Sequence, residues 1–297
     1  MSAEGPGGRG GAVTTFGSRL AAAMEAHGPL CVGVDPHPAL LAAWGLSDDV
    51  RGLREFIFTV LDAVGGHVAA IKPQSALFER HGSAGIAVLE ELIVAAKATA
   101  TLVILDAKRG DIGSTMAAYA DAYLRDGSPL AVDALTVSPY LGFGSLAPAV
   151  DAAAASGRGL FVLALTSNPE GAAVQHARDA EGVAVAARIA AHAGELNVRE
   201  VAVSGAAMGS VGLVVGATAG AAARDLGIDL CAVRGPLLAP GVGAQGAGPT
   251  ELRAVFGTAR GLVLASSSRG VLAAGPDRAS LLAAARTAAD EARSALS

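Results

Sequence analysis

The sequence is poor in charge, and this shortage excludes one large class of protein. Charged residues make up 16% of the 297-residue chain, and their formal net charge is −5. A nucleic-acid-binding protein usually carries a basic face or stripe, whereas this chain is mildly acidic and has no block of like charges. We therefore expect no nucleic-acid partner.

Cysteine is scarce as well. Cys31 and Cys231 are the only two, and they lie far apart without forming a C-x-x-C pair. Two scattered thiols in a chain of this length are typical of reduced, cytoplasmic residues rather than of a disulfide framework. The first residues also lack the apolar stretch of a signal peptide. We expect a cytoplasmic protein whose Gly-rich residues 1–13 form a disordered arm.

One uncharged stretch, residues 201–223, is long enough to cross a bilayer. Five glycines and several hydroxyl-bearing residues interrupt it, whereas a spanning helix is normally richer in Leu, Ile and Phe. The run VGLVVGAT within it is typical of a buried parallel strand. The sequence therefore predicts a soluble protein without a membrane partner.

Short apolar runs alternate with Ala-rich helical segments along most of the chain. The eight candidate strands cover residues 30–34, 68–72, 101–106, 131–137, 160–165, 211–217, 235–240 and 261–266. Candidate helices include residues 51–64, 85–100, 182–196, 250–256 and 278–296. Continuous apolar strands that alternate with helices indicate a parallel sheet covered on both faces.

An open doubly wound sheet and a closed barrel both fit this alternation, and the polar residues favour the barrel. A polar residue or a turn follows almost every candidate strand, including Asp35, Lys72, Asp106 and Ser138. In a barrel many strand ends converge on one mouth, whereas an open sheet gathers its polar residues at a single crevice. We predict an α/β fold, a single-domain (β/α)8 TIM barrel over residues 14–297.

The densest polar motif is DAKRGDIGST, residues 106–115, at the end of the third candidate strand. Asp106 and Lys108 are two residues apart on a strand, so they point to the same face. Asp111 follows at the turn into the next helix, and Lys72 ends the preceding strand. An ammonium group between two carboxylates stays charged, which makes it a poor base and a ready proton donor. An ordinary ion-pair network is the alternative, although the position at consecutive strand ends favours catalysis.

A second motif occupies the loops after the seventh and eighth candidate strands, which read APGVGAQG (239–246) and SSSRG (266–270). Barrels frequently hold a phosphate with these loops. Glycine amides can approach phosphate oxygens, Arg269 can donate a bidentate pair of hydrogen bonds, and Gln245 adds a neutral donor. A Gly-rich turn with a solvated arginine is the alternative interpretation.

Cofactor and metal motifs are weak. Residues 241–246 match G-x-G-x-x-G, but they come too late in the chain to open a dinucleotide-binding fold. The six histidines are scattered and never paired at helical spacing, so we expect no metal site. His37 follows Asp35 closely, yet a lone histidine there is more typical of a loop than of a ligand.

Together the motifs resemble those of orotidine 5'-phosphate decarboxylases, in the longer bacterial form of that family. DAKRGDIGST is similar to the family's D-x-K-x-x-D-I signature, and VGVDPHP, IKPQ, LTSNP, LLAPGVGAQG and SSSRG resemble its other barrel-mouth motifs in the same order. The resemblance covers residues 30–270. It implies a carboxy-lyase, without metal or cofactor, that converts orotidine 5'-monophosphate (OMP) to uridine 5'-monophosphate (UMP) and carbon dioxide in pyrimidine biosynthesis.

The resemblance also implies roles for individual residues. Lys108 would protonate C6 of the pyrimidine, while Asp106 would face the departing carboxylate. Asp35 and Lys72 would hold ribose hydroxyls, and Ser167 would meet the pyrimidine edge. The implied substrate-binding residues of the two phosphate loops are Pro240, Gln245, Ser268 and Arg269.

In this family the residues at the positions of Asp111, Ile112 and Thr115 reach into the partner's active site. The resemblance therefore implies a homodimer with shared active sites. Asp111 would complete an alternating charged array with Lys72, Asp106 and Lys108.

Two alternatives stay open at this point. A metal-dependent sugar-phosphate decarboxylase or synthase of the same superfamily shares D-x-K-x-x-D, but it carries an acidic metal ligand where Lys72 stands. A lysine there would repel a divalent cation. The second alternative is a non-catalytic nucleotide-phosphate binder, because a fold alone does not determine a function. Such a binder would have no reason to keep Lys108 beside two carboxylates.

Overall fold

The structure is a computed structural model that describes residues 14–217, 219–241 and 249–297. Within these ranges, eight parallel strands close into a barrel in chain order, and the last strand pairs with the first. The strands are β1 (Leu30–Val34), β2 (Ala70–Pro73), β3 (Leu102–Arg109), β4 (Ala134–Val137), β5 (Gly159–Leu165), β6 (Val211–Val215), β7 (Leu237–Pro240) and β8 (Val263–Ser267). The predicted TIM barrel is confirmed. The arm predicted for residues 1–13 lies outside the described residues.

Helices surround the barrel and alternate with its strands. They are α1 (Phe16–His27), α2 (Pro38–Ala43), α3 (Val50–Val64), α4 (Ala76–Glu79), α5 (Gly82–Ala98), α6 (Gly113–Leu124), α7 (Ala147–Ala155), α8 (Ala172–Gln175), α9 (Val185–Ser204), α10 (Gly220–Asp225), α11 (Pro249–Phe256), α12 (Arg269–Leu272) and α13 (Arg278–Leu296). In the part of the chain that the structure describes, no helix is long and apolar enough to cross a membrane. The uncharged stretch 201–223 instead contains the end of α9, all of β6 and the start of α10, so its predicted strand is confirmed.

Helix α3 shows how the outer layer forms from its sequence. The Asp49 carboxylate caps its first turn by accepting a hydrogen bond from the amide of Gly52 at 2.8 Å. Its buried apolar side chains recur at helical spacing; they are Leu53, Phe56, Ile57, Val60, Leu61 and Val64. This stripe faces the strands, and the flanks of α3 contact α5 and α13.

Residues along each strand alternate between two hydrophobic cores. Outward side chains such as Val32 and Ile71 pack under the helices, whereas inward ones such as Cys31, Ile104 and Leu264 fill the barrel. The strands of a parallel barrel are therefore buried on both faces, which explains why they read as continuous apolar runs.

Helix α1 lies across the amino-terminal ends of β4, β5 and β6, and the helices predicted from the sequence do not include it. Phe16 is fully buried in the inner core, where its ring meets that of Phe161 edge-to-face at 6.0 Å. A side chain at Gly159 would overlap the Phe16 ring, so this approach requires glycine. Arg19 forms an ion pair with Asp133 just before β4. The helix therefore closes the end of the barrel opposite the predicted mouth.

Replacing Phe16 with alanine should lower the free energy of unfolding by about 3–5 kcal/mol, because it leaves a cavity in the inner core. Denaturant unfolding of the purified variant measures the loss. Val203→Ala is the matched control, since Val203 is 92% exposed and its truncation should change little. Equal stabilities for the two variants would contradict the role assigned to α1.

Candidate active site

Polar side chains occupy inward positions near the carboxyl ends of several strands, at one mouth of the barrel. Lys72, Asp106, Thr136 and Ser266 each follow an inward apolar residue two positions earlier, and all four are buried. Strand alternation therefore directs them to the same mouth, where barrel enzymes place their chemistry.

The carboxylate of Asp106 is the centre of this polar layer. Its Oδ2 atom accepts hydrogen bonds from Lys72 Nζ at 2.8 Å and from Gln74 Nε2 at 3.3 Å. Its Oδ1 atom accepts hydrogen bonds from Lys108 Nζ at 2.5 Å and from the Thr136 hydroxyl at 3.0 Å. The structure thus brings together three of the four predicted catalytic residues, with one carboxylate between two ammonium groups.

Asp106 and Lys72 stay ionised despite their burial because their opposite charges attract each other. Burial raises the pKa of Asp106, but the charges of Lys72 and Lys108 outweigh it and bring the pKa down to about 2. Burial lowers the pKa of Lys72, while the charges of Asp106 and Asp35 raise it above its ordinary value overall. Asp106 is therefore an anion, and Lys72 a cation, at neutral pH.

A buried thiol lies beside this cluster. The pKa of the Cys31 thiol is raised to about 12, chiefly by burial; the charges of Asp35 and Asp106 add to this rise, and the charge of Lys72 partly offsets it. Cys31 on β1 pairs in register with Ser266 on β8. Because the thiol stays protonated at neutral pH, we assign it no nucleophilic role.

Lys108 reaches Asp106 through an irregular strand end rather than through regular alternation. The register between β3 and β4 shifts between Leu105 and Arg109. Lys108 lies inside this bulge with φ of +47°, a left-handed conformation that is costly for a residue with a side chain. Its side chain is 45% exposed, against 12% for that of Asp106, so it projects into the mouth.

Arg109, the next residue, points away from the mouth into a network that the sequence did not reveal. Its guanidinium forms an ion pair with Glu79 and donates a hydrogen bond to the Tyr123 hydroxyl at 3.3 Å. The Tyr119 and Tyr123 rings lie 5.5 and 5.8 Å from the guanidinium carbon, within cation–π range. This network anchors the chain on the outer side of the bulge.

Asp111 does not join the charged cluster of its own chain. Its Oδ1 atom accepts a hydrogen bond from the amide of Ile112 at 2.8 Å, and no described ion pair links it to Lys72 or Lys108. Within one chain, Asp111 therefore lies apart from Lys72, Asp106 and Lys108, the residues with which the resemblance groups it. Ile112 is 62% exposed, and Thr115 is exposed on α6.

A cavity of about 750 Å³ opens beside the cluster. The predicted site residues that line it are Asp35, Lys72, Pro240, Ser268 and Arg269. His37, interpreted from the sequence as a loop residue, also lines it. Of the other predicted contacts, Ser167 is exposed and is not among the lining residues found in the described part of the chain, and Gln245 lies outside that part.

Two features of the lining suit a polar ligand. The Oδ1 atom of Asp35 is buried and has no hydrogen-bond partner among the described residues, so it is available to accept a bond. A side chain at Gly33 would overlap the hydroxyl of Ser268, so glycine there lets the β8 loop approach the cavity. Arg269 begins α12 on the same loop.

Residues 28–284 match the model of the family described as "Orotidine 5'-phosphate decarboxylase / HUMPS family". The chain belongs to this family. The resemblance drawn from the barrel-mouth motifs is thereby confirmed.

Members of the decarboxylase family are similar to this chain over nearly its whole length. Orotidine 5'-phosphate decarboxylase of Salinispora arenicola is 59% identical, over 95% of this chain and 98% of that protein. The Streptomyces coelicolor enzyme is 58% identical, over 93% and 94% of the respective chains. A crystal structure of a provisionally named orotidine 5'-phosphate decarboxylase from Streptomyces avermitilis is 56% identical and superposes with a TM-score of 0.91, covering 98% of this chain and 99% of that one.

Ionisation of Asp106 should make the free energy of unfolding depend on pH. The carboxyl group has an ordinary pKa of 3.8 when unfolded but about 2 when folded, so the unfolded state binds the proton first. The resulting stabilisation, about 2 kcal/mol, is complete well above the unfolded pKa and is lost as the pH falls through the folded pKa.

Urea unfolding of the wild type and of Asp106→Asn, from neutral to strongly acidic pH, measures this effect. Other carboxyl groups titrate in both proteins and cancel in the difference. The wild type should lose stability relative to the variant only at the acid end. Two parallel stability curves would contradict the lowered pKa.

Proposed function

We propose that this protein catalyses the decarboxylation of OMP to UMP and carbon dioxide, as a carbon–carbon lyase of pyrimidine biosynthesis. The observation that carries the proposal is the Asp106 carboxylate, held between Lys108 and Lys72, because Lys72 also lines a cavity of about 750 Å³. Its near full-length similarity to orotidine 5'-phosphate decarboxylases supports the same reaction.

The charged cluster supplies what this reaction needs. The bond between C6 and the carboxylate breaks with its electron pair left on C6, while Lys108 donates a proton to C6 and regains one from solvent. Enzymes lower the barriers of very slow reactions by about 23 kcal/mol or more, and a preorganised ammonium beside the developing carbanion is the natural main contribution. Repulsion between Asp106 and the substrate carboxylate adds to it.

The residues that line the cavity suit the rest of the nucleotide. Asp35, with its unpartnered oxygen, accepts a hydrogen bond from a ribose hydroxyl, and Lys72 lies beside it. Arg269 and Ser268 bind the phosphate from the β8 loop. Binding energy gained at the phosphate, remote from C6, aligns the base against Lys108. Ser167 and Gln245 remain assigned to the base edge and the phosphate by resemblance.

We also propose a cytoplasmic homodimer that shares its active sites. Large apolar side chains are exposed on the loops after β3 and β4, where Ile112, Tyr140 and Leu141 are 62%, 76% and 53% exposed. A partner covering these side chains would remove apolar surface from water and bring its Asp111 towards this cluster. Cys31 and Cys231 are free thiols, which fits a reducing compartment.

Purified protein should decarboxylate OMP after exhaustive chelation, because Lys72 occupies the position at which a metal-dependent relative carries an acidic ligand. The loss of OMP absorbance measures the reaction directly. Activity that returned only on addition of magnesium would assign the protein to the metal-dependent branch of the superfamily. Binding of UMP without turnover of OMP would identify a nucleotide binder instead.

Mixing two inactive variants tests the shared site. Lys108→Ala should abolish decarboxylation, and Asp111→Ala should do so by removing a carboxylate supplied from the neighbouring chain. A heterodimer of the two contains one site with both defects and one with neither. Co-refolding should therefore recover up to about half of the wild-type rate per heterodimer, since a two-fold dimer has two equivalent sites. If subunits exchange but no activity returns, Asp111 serves its own chain.

A further inference from the structure

The hydroxyl of Thr136 lies directly against the bulge that carries Lys108. It accepts hydrogen bonds from the amides of Ala107 and Lys108, at 3.0 and 2.9 Å, and it lies 3.0 Å from Oδ1 of Asp106. Thr136 is 1% exposed and occupies the last inward position of β4. One buried hydroxyl therefore contacts both the backbone of Lys108 and the carboxylate that its side chain binds.

The hydrogen-bonding capacity of a hydroxyl fixes the direction of these contacts. A hydroxyl has two lone pairs and one proton. The two amides occupy the lone pairs, so the proton points to an acceptor. Asp106 Oδ1 at 3.0 Å is closer than the Leu105 carbonyl at 3.4 Å. Thr136 therefore donates to Asp106 while it holds the Lys108 amide.

The bulge explains why the amides of Ala107 and Lys108 donate to a side-chain hydroxyl rather than to a backbone carbonyl. In a regular parallel pair, amide groups of one strand bond to carbonyl groups of the next. The register shift after Leu105 interrupts that ladder, and a buried amide without a partner is destabilising. Beyond the bulge, the Ser138 amide donates to the Arg109 carbonyl at 2.8 Å, and Arg109 has its own outer network. Those contacts hold the chain after Lys108 but do not reach the Lys108 amide.

We propose that Thr136 is a positioning residue for the decarboxylation reaction. It stabilises the left-handed backbone of Lys108 and thereby sets the ammonium group against Asp106 and the reacting carbon. This inference rests on the proposed function. Thr136 itself lies beneath the bulge, and its effect on the substrate passes through Lys108 and Asp106.

Loss of the hydroxyl should slow the reaction without weakening nucleotide binding. Thr136→Val keeps nearly the same side-chain shape but neither accepts nor donates a hydrogen bond, so Lys108 is free to relax towards an ordinary strand conformation. A displacement of about 1 Å at a catalytic group can reduce a rate about 100-fold. Asp35 and Arg269, on the loops after β1 and β8, keep their positions because neither contacts Thr136.

The experiment compares Thr136→Val, Thr136→Ser and Thr101→Val with the wild type. Thr101 is the matched control: it is 3% exposed at the opposite end of β3, and its hydroxyl accepts the Gly66 amide at 2.7 Å. Steady-state kinetics with OMP, calorimetric binding of UMP and urea unfolding are measured for each protein.

Thr136→Val should lower kcat about 100-fold and leave KM and UMP affinity unchanged, since the misplaced group acts only in the chemical step. Thr136→Ser, which keeps the hydroxyl, should restore kcat. Thr101→Val should lose stability but keep kcat. If Thr136→Val does not fold, Thr136→Cys replaces it, because a thiol is a weak donor and acceptor and should also lower kcat.

The inference is overturned if Thr136→Val keeps the wild-type kcat, if Thr136→Ser is as slow as Thr136→Val, or if UMP affinity falls in step with kcat. A wild-type protein that does not turn over OMP contradicts the proposed function instead. In that event a crystal structure of Thr136→Val still tests the positioning, because Lys108 should leave the left-handed region, and an unchanged φ would overturn the inference.

Discussion

The arrangement of charged and polar side chains at the mouth of the barrel depends on one buried carboxylate, that of Asp106. Removing a charge from water costs several kcal/mol, so Asp106 is stable in its position only because two ammonium groups and two neutral donors satisfy both oxygens. Lys72 depends on Asp106 in the same way, since it is 7% exposed. This mutual dependence couples the ends of β2, β3 and β4 into one geometry. The strained conformation of Lys108 persists because its neighbours compensate for it.

The strand pattern predicted most of the fold because a parallel barrel is buried on both faces. All eight candidate strands are present, and their ends lie within three residues of the prediction. Helix α1 escaped prediction because only Phe16 and Leu20 are large and fully buried in it, too few to show a helical period. Its role comes from long-range contacts with Asp133 and Phe161, which no local pattern encodes.

The sequence predicted the positions of site residues that lie at the ends of strands. It did not predict those that depend on the pairing register between strands. Lys72 and Asp106 end two consecutive strands of the prediction, so their meeting follows from strand alternation alone. The left-handed conformation of Lys108 results from a shift in the pairing register between β3 and β4. These two strands are separated in the sequence by a whole helix. Thr136 reads as an ordinary strand residue for the same reason. The role proposed for Asp111 depends on a contact between two chains, which no pattern within one sequence encodes.

The buried Cys31 thiol has a consequence for how the protein withstands chemical damage. Oxidants and electrophiles attack thiolates, and a thiol with a pKa of about 12 has only about one molecule in 10⁵ ionised at neutral pH. Cys31 is also inaccessible, whereas Cys231 lies half-buried near the surface, beside Thr258. Peroxide or alkylating agents therefore react first with Cys231, on the segment before β7, while the sulfur beside Lys72 stays protonated.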